Sequence, residues 1–281
     1  MIKQYDSDEL KRLQKVEIDI CKDIHEVCKK YDIGYTIAFG SLIGAIRHKG
    51  FIPWDDDMDI AMFREDYERF EKIFDKELSD KYYLMSPLRD KGYYGNVVKV
   101  EKKGTTFINR HSNKMKCAQG IFVDIFIYDK VPQDAALFKK QCRKSRFLAM
   151  LIFLYCSPFP EIPIKGIIGA VAKAVCFVAH YLLHIVPKGN VFFYKKLEKI
   201  CKLSDKTESD EYIIYQDPYA SGTLVNRSDI EPYKTISFDG EQLCIPNNYD
   251  KVLKNYYGDY MQLPPEDKRV NHAADILDFG E

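Results

Sequence analysis

Residues 40–63 read GSLIGAIRHKGFIPWDDDMDIAMF. Four aspartates fall within five positions, Asp55, Asp56, Asp57 and Asp59, followed closely by the apolar Ile60 and Met62. Successive side chains of a strand point to opposite faces. A strand over residues 58–63 therefore sets Asp57 and Asp59 on one face, with Met58, Ile60 and Met62 on the other, towards a core. Asp55 joins the acidic face if the extended geometry starts early. Carboxylates this close repel one another unless cations neutralise them. Hard divalent ions such as Mg²⁺ take oxygen ligands, commonly one or two carboxylates plus substrate phosphates. A solvated acidic turn after Pro53 is the ordinary fate of an Asp run, but these aspartates interleave with core-type residues.

Upstream, residues 35–39 read as a short buried strand, and Gly40-Ser41 turns it into a second short helix ending near Lys49-Gly50. A small residue at such a junction lets backbone N–H groups approach a phosphate, and the Ser hydroxyl adds a donor. A plain turn and cap reads the same way; the pair gains weight by lying fewer than twenty residues before the aspartates. Downstream, Asp124 is the only charged residue in GIFVDIF, residues 120–126. A lone carboxylate in an apolar strand needs a partner. That partner is a Lys or Arg, or a turn. If instead this strand lies beside Asp57 and Asp59, Asp124 completes a metal site and can accept a proton.

Around this stretch, apolar residues recur every three or four positions from Leu10 to Tyr31, which predicts an amphipathic helix over residues 8–31 capped by Asp6 or Ser7. A helix is expected over 67–78, two or three strands over 82–107 punctuated by Gly92, Gly95 and Gly104, and a strand over 121–128. Helices run from about 134 to 201. Short strands near 235–244 and a helix over 249–257 complete the chain. This order indicates an α/β or α+β core with a helical addition.

The 281 residues are 46% hydrophobic and 14% aromatic, which excludes a disordered chain. Lys+Arg and Asp+Glu balance at 42 each, so no global field draws nucleic acid. The eight cysteines form no CxxC pair or zinc spacing and suit reduced, buried thiols in a cytoplasmic protein. MIKQYDSDELKRLQ is charged at once, so no secretory signal is expected.

These residues carry a resemblance. Strand, Gly-Ser, helix, Asp-x-Asp strand and a third Asp on a later strand resemble the polymerase-beta type of nucleotidyltransferase, an α+β fold with a mixed sheet. The closer resemblance is to the LicD family of phosphocholine transferases. It rests on FGSLIGAIRHKGFIPWDDDMDIAM, on RxDYxxF at 64–70, on GIFVDIFIYDKVP at 120–132 and on the tail FDGEQLCIPNNYDKVLKNYYGDYMQLPPEDKRVNH. It implies a catalytic core over 1–134, a helical subdomain over 135–230 and a C-terminal segment over 231–281 that returns to the core.

The resemblance also implies a reaction: transfer of a phospho-alcohol, usually phosphocholine, from a CDP-linked donor to a hydroxyl of a cell-surface glycan, teichoic acid or lipopolysaccharide precursor. Relatives of the fukutin type use CDP-ribitol. On this basis Asp57 and Asp59 bind Mg²⁺ or Mn²⁺, Asp55 is a further ligand, and Asp124 is a ligand or base. Gly40 and Ser41 cradle a phosphate. Arg47, His48, Arg64, Lys99 and His272 face the substrates, with Arg269 beside them; for each a surface salt bridge or solvated tail is the plainer role. Ala273-Ala274 depart from the polar residue common at this point of the family. Trp54 either stacks on a base or a quaternary ammonium, or packs to fix the start of the strand. A nucleotidyltransferase that moves NMP to a small-molecule hydroxyl would share the acidic strand. A non-catalytic glycan-binding descendant of the fold would have lost carboxylates, and none is lost here.

Residues 147–187 are unusually apolar. Lys173, His180 and His184 interrupt the second run, and Pro158 and Pro160 split it from the first. Core helices, a pair lying in a membrane interface and a spanning helix compete. The interfacial reading is favoured, with the protein on the inner face of the plasma membrane, near a lipid-linked acceptor.

Overall fold

The structure, a computed structural model, describes residues 5–157, 166–217, 220–271 and 273–280. Helix α1, Ser7–Tyr31, starts where the Asp6 carboxylate accepts from the backbone N–H groups of Asp8 and Glu9. It ends where Asp32 turns left-handed, at φ 53°. In the middle of its apolar stripe Leu13, Ile20 and Ile24 are fully buried, while Val16 and Tyr31 are half-buried. Next come β1 (Thr36–Ile37), α2 (Phe39–Arg47), β2 (Asp59–Phe63) and α3 (Arg64–Glu77). Strands β3 (Tyr82–Met85), β4 (Val98–Lys102), β5 (Thr106–Ile108) and β6 (Phe122–Lys130) follow. Helices α4 (Ala135–Cys156), α5 (Gly166–His184) and α6 (Gly189–Cys201) form the helical stretch. The chain closes with β7 (Glu211–Ile213), β8 (Val225–Asn226), α7 (Arg227–Ile230), β9 (Lys234–Phe238), β10 (Glu241–Ile245), α8 (Tyr249–Tyr257) and β11 (Ile276–Asp278).

The main sheet runs β1-β2-β6-β4-β3, with β7 and β8 continuing from β6. Among the described residues β2 and β6 pair parallel, and the other pairings in it are antiparallel. The fold is thus α+β with a mixed sheet. Its interior joins α1 and α3 to the sheet through Ile60, Met62, Phe70, Phe74, Val123 and Ile125. β9 and β10 form a hairpin whose turn, Asp239-Gly240, has both φ positive (45° and 91°), the geometry that matches strand twist in a two-residue turn.

Three boundaries differ from the sequence expectation. α2 begins at Phe39, ahead of the Gly-Ser pair. α3 begins at Arg64, three residues early, with Glu65 and Asp66 in its first turn where the helix dipole favours them. β2 begins at Asp59, which leaves Asp57 in the loop before it. Strands β7, β8 and β11 are two or three residues long, too short for alternation to reveal.

The helical stretch has its own small core, in which Ile152, Phe193 and Leu197 pack with Ile213 and Tyr215. α5 contributes little to any interior: among its residues only Gly169 and His180 are buried, while Ile167 is 84% and Ile168 72% exposed. By length and composition alone α5 could cross a membrane. Pro158 and Pro160 lie outside the described residues.

Candidate functional site

The parallel pairing of β2 with β6 sets Asp59 directly opposite Asp124, and the antiparallel pairing of β4 sets Lys99 opposite Asp124. Three strands thus present Asp59, Asp124 and Lys99 in one row on one face. Lys99 Nζ lies 2.7 Å from Asp124 Oδ1 and 3.1 Å from the centre of the Phe122 ring. The apolar alternates, Ile60, Val123, Ile125, Val98 and Val100, face the interior and hold the row in place.

The loop before β2 is pinned from several sides. Ser41 is buried, and its hydroxyl accepts from the backbone N–H of Asp59 at 2.8 Å, so it sets the start of β2. A Cβ on Gly40 would come within 3.0 Å of Asp55 Oδ2; glycine lets the Asp55 carboxylate lie against the start of α2. Gln14 of α1 donates to the Asp55 carbonyl at 2.8 Å. Asp56 is fully buried and accepts from the backbone N–H of Ala273 at 3.0 Å, which ties the tail to the acidic loop. His272 itself lies outside the described residues.

Two side chains that the sequence did not single out belong here. Glu17 looks like one more polar residue of α1, yet it is completely buried, and among the described residues neither carboxylate oxygen has a hydrogen-bond partner. Burial, then repulsion from Asp57, Asp56, Asp55 and Asp59, holds its carboxyl well above the ordinary range. Only its position on the apolar stripe, one residue after Val16 and before Ile18, hinted at this. Tyr257, at the end of α8, is 41% exposed, and partial burial of its phenol followed by the charges of nearby Asp59, Asp55 and Asp57 raises its pKa.

The basic candidates divide. Arg47 donates to His48 Nε2 at 2.9 Å and to the Tyr260 carbonyl at 2.8 Å. Burial and the nearby Arg269 lower its pKa. The Arg269 guanidinium lies 5.2 Å from the Trp54 ring, so a cationic group flanks the residue preceding Asp55. Arg64 is elsewhere. It follows the far end of β2, about 16 Å along the strand from Asp59. There it makes two hydrogen bonds to Asp129, at 2.7 and 2.9 Å, and reaches Glu198 of α6 at 3.2 Å. Its charge is committed to joining the sheet to the helical stretch. The RxDYxxF motif lies at a helix start, and sequence spacing could not tell which end of β2 it would face.

Several buried carboxyls here have raised pKa values. Asp59 is raised by burial, then by Asp57 and Asp124. Glu101, on β4, is pushed up to about 8, chiefly by burial, while the Gly120 N–H it accepts from at 3.2 Å opposes the rise. A raised acid holds its proton in the folded state where the unfolded chain has released it. Its contribution is therefore fully present below the unfolded value and is lost as pH rises through the folded one. We expect the metal-free protein to lose thermal stability between about pH 4.5 and 8. Glu101→Gln should flatten that slope in melts recorded in EDTA. A slope unchanged by the substitution would remove Glu101 from the explanation.

Among the described residues no three His, Cys, Asp or Glu side chains converge into a complete metal cage. Two facing carboxylates with a third just before them fit a hard divalent ion that draws its remaining ligands from phosphate and water.

Residues 32–166 match the family model described as LicD/FKTN/FKRP, nucleotidyltransferase domain. The chain is 34% identical over 267 residues to the lipopolysaccharide cholinephosphotransferase LicD of Haemophilus influenzae, covering 94% of this chain and 95% of that protein. It is also 32% identical over 114 residues to an uncharacterized protein of Rickettsia prowazekii, covering 41% of this chain and 39% of that one. An uncharacterized protein of Rickettsia typhi is 43% identical over 72 residues, 26% of this chain and 23% of the other.

Proposed function

The chain belongs to the LicD family of phosphotransferases, and from that premise we propose that it moves phosphocholine from CDP-choline to a sugar hydroxyl of lipopolysaccharide or its precursor. The observation that carries this reading is the row Asp59, Asp124, Lys99 across three paired strands. Identity extending along nearly the whole chain to a cholinephosphotransferase supports the choice of group and acceptor. The parallel β2–β6 pair, with helix α2 entering just before it, supports a polymerase-beta-type nucleotidyltransferase core.

The transfer forms a bond from the acceptor oxygen to the choline-bearing phosphorus and breaks the bond from that phosphorus to the bridging oxygen. CMP leaves, and the hydroxyl proton must go to a base. Asp124 takes that proton, while Lys99, already beside it, offers its ammonium to the phosphate oxygens. Asp57 and Asp59 would hold Mg²⁺ or Mn²⁺, with Asp55 close enough in sequence to join. When bound, such an ion neutralises diphosphate charge, which is most of what phosphoryl-type transfer asks of an enzyme. Ser41 fixes the height of Asp59. Arg47, His48 and Arg269 flank the acidic loop with positive or titratable groups suited to the nucleotide side of the donor.

A ligand that binds only the folded state raises its melting temperature. In a screen of CDP-alcohols with Mg²⁺, CDP-choline should raise Tm most, and EDTA should abolish the shift. A larger shift with CTP alone would favour NMP transfer to a small molecule instead.

A further inference from the structure

The face that carries Asp124 and Lys99 does not end there. The next residues on that face are Phe122 of β6 and Glu101 of β4, which lie opposite each other in the antiparallel register. They floor a cavity that also includes Lys99, Tyr93, Phe107 and Gln119. Phe107 stands almost perpendicular to Phe122, at 86° with ring centres 5.2 Å apart, so two aromatic walls meet at a corner. Tyr93 and Glu101 are almost wholly buried. Gln119 Oε1 is buried with no hydrogen-bond partner among the described residues. A cation already occupies one ring face, since Lys99 Nζ lies over Phe122. Perpendicular rings, a buried carboxyl and an unpartnered carbonyl oxygen are what a quaternary ammonium seeks: π-faces and negative partial charge, without a demand for donors.

Resting on the proposed phosphocholine transfer, we propose that this corner is the subsite for the donor's trimethylammonium group, with Phe122 and Phe107 as its walls and Glu101 as the carboxyl that releases its proton to solvent and becomes the counter-charge once the cation is seated. The subsite adjoins Asp124, so a head group seated there places the adjacent phosphate at the acidic row. Lys99 leaves the Phe122 ring for that phosphate as the donor enters. Wild-type protein should bind CDP-choline roughly tenfold more tightly than CDP-glycerol, whose head group is neutral. Phe122→Leu and Glu101→Gln should each bring the two dissociation constants together and leave that for CDP-glycerol unchanged, in calorimetric titrations with Mg²⁺. Wild-type indifference to the head group, or undiminished preference in both variants, overturns the subsite. Preference that follows these residues, with no choline reaching any acceptor, would support the subsite and overturn the transfer reading instead.

A second inference rests on separate observations. Residues 135–202 contain twelve Lys and Arg against two Glu, a net charge of +10 within a chain whose total is zero. On α4 the basic Lys139, Lys140, Arg143, Lys144 and Arg146 are all exposed. Beside α4, packed through the His180 ring at 2.8 Å from the Leu154 carbonyl, α5 exposes Ile168, Val171, Val175, Val178 and Leu182. An apolar helix face backed by concentrated positive charge fits an anionic lipid surface. A second copy of the chain would set like charges against each other.

We infer that α4 and α5 dock on an anionic bilayer, α5 lying in the interface plane. The protein should float with vesicles containing phosphatidylglycerol and much less with pure phosphatidylcholine, and added salt should release it. Val175→Glu with Leu182→Glu should abolish flotation, and Lys139→Glu with Lys140→Glu should remove its salt-sensitive part. Flotation unchanged in these variants, no flotation at all, resistance to alkaline carbonate, or a dimer dissolved by the α5 substitutions would each overturn the docking.

Discussion

Asp59→Asn should lower kcat/KM for phosphocholine transfer about 10³-fold, the scale set by removing a preorganised charged group from a transition state. The row explains why the loss is large. Asp59 is buried, faces Asp124 across a parallel pair, and is held at the strand start by the Ser41 hydroxyl. An amide in its place keeps the shape but gives up the charge. Asp57→Asn and Asp124→Asn should act in the same direction. Stability should move the other way: removing one carboxylate relieves repulsion among Asp55, Asp57, Asp59, Asp124 and Glu17, so melting in EDTA should be unchanged or higher. A merely structural aspartate would show the reverse pattern, with Tm lost and activity per folded molecule kept. Wild-type rates in Asp57→Asn and Asp59→Asn alike would remove the metal assignment.

Arg64→Met should destabilise the protein by about 3–5 kcal/mol, because it leaves the Asp129 carboxylate buried without its counter-charge. For a chain of this size that corresponds to roughly 10 °C in Tm. Arg64 and Asp129 are almost inaccessible and share two hydrogen bonds. Burial opposes the guanidinium charge, but Asp129 and Glu198 outweigh it and raise the pKa. The double variant Arg64→Met with Asp129→Leu should recover most of the lost stability, since no orphaned charge remains. If Arg64 bound substrate, Arg64→Met would instead raise KM in a protein of unchanged Tm.

Much of the scaffold could be read from residue spacing. The α1 stripe, the Asp-rich strand and the apolar strand around Asp124 carry strong periodicity, and the helices flanking them follow from it. That Asp124 stands beside Asp59 was conditional on strand pairing, and the structure supplies the pairing. Pairing is a long-range property, so it also decided what spacing could not. Ser41 reads as a phosphate cap from its place after a strand; spacing did not show that its hydroxyl oxygen also accepts from the Asp59 N–H and so sets the start of β2. Arg64 sits close to the aspartates in sequence but at the opposite end of β2. Glu17 and Glu101 lie far from the motif in the chain and reach the face only through packing of α1 and the register of β4. The balanced total charge hid both an acidic face and a basic helical stretch, because a sum carries no position.

The most direct test follows the atoms. Purified protein is incubated with lipopolysaccharide acceptor, Mg²⁺ and CDP-choline labelled separately in the choline and in the cytidine. The choline label should pass to the acceptor, with one CMP released per choline transferred, and EDTA should stop both. Cytidine label on the acceptor, or free phosphocholine with no labelled acceptor, would contradict transfer of phosphocholine by this protein.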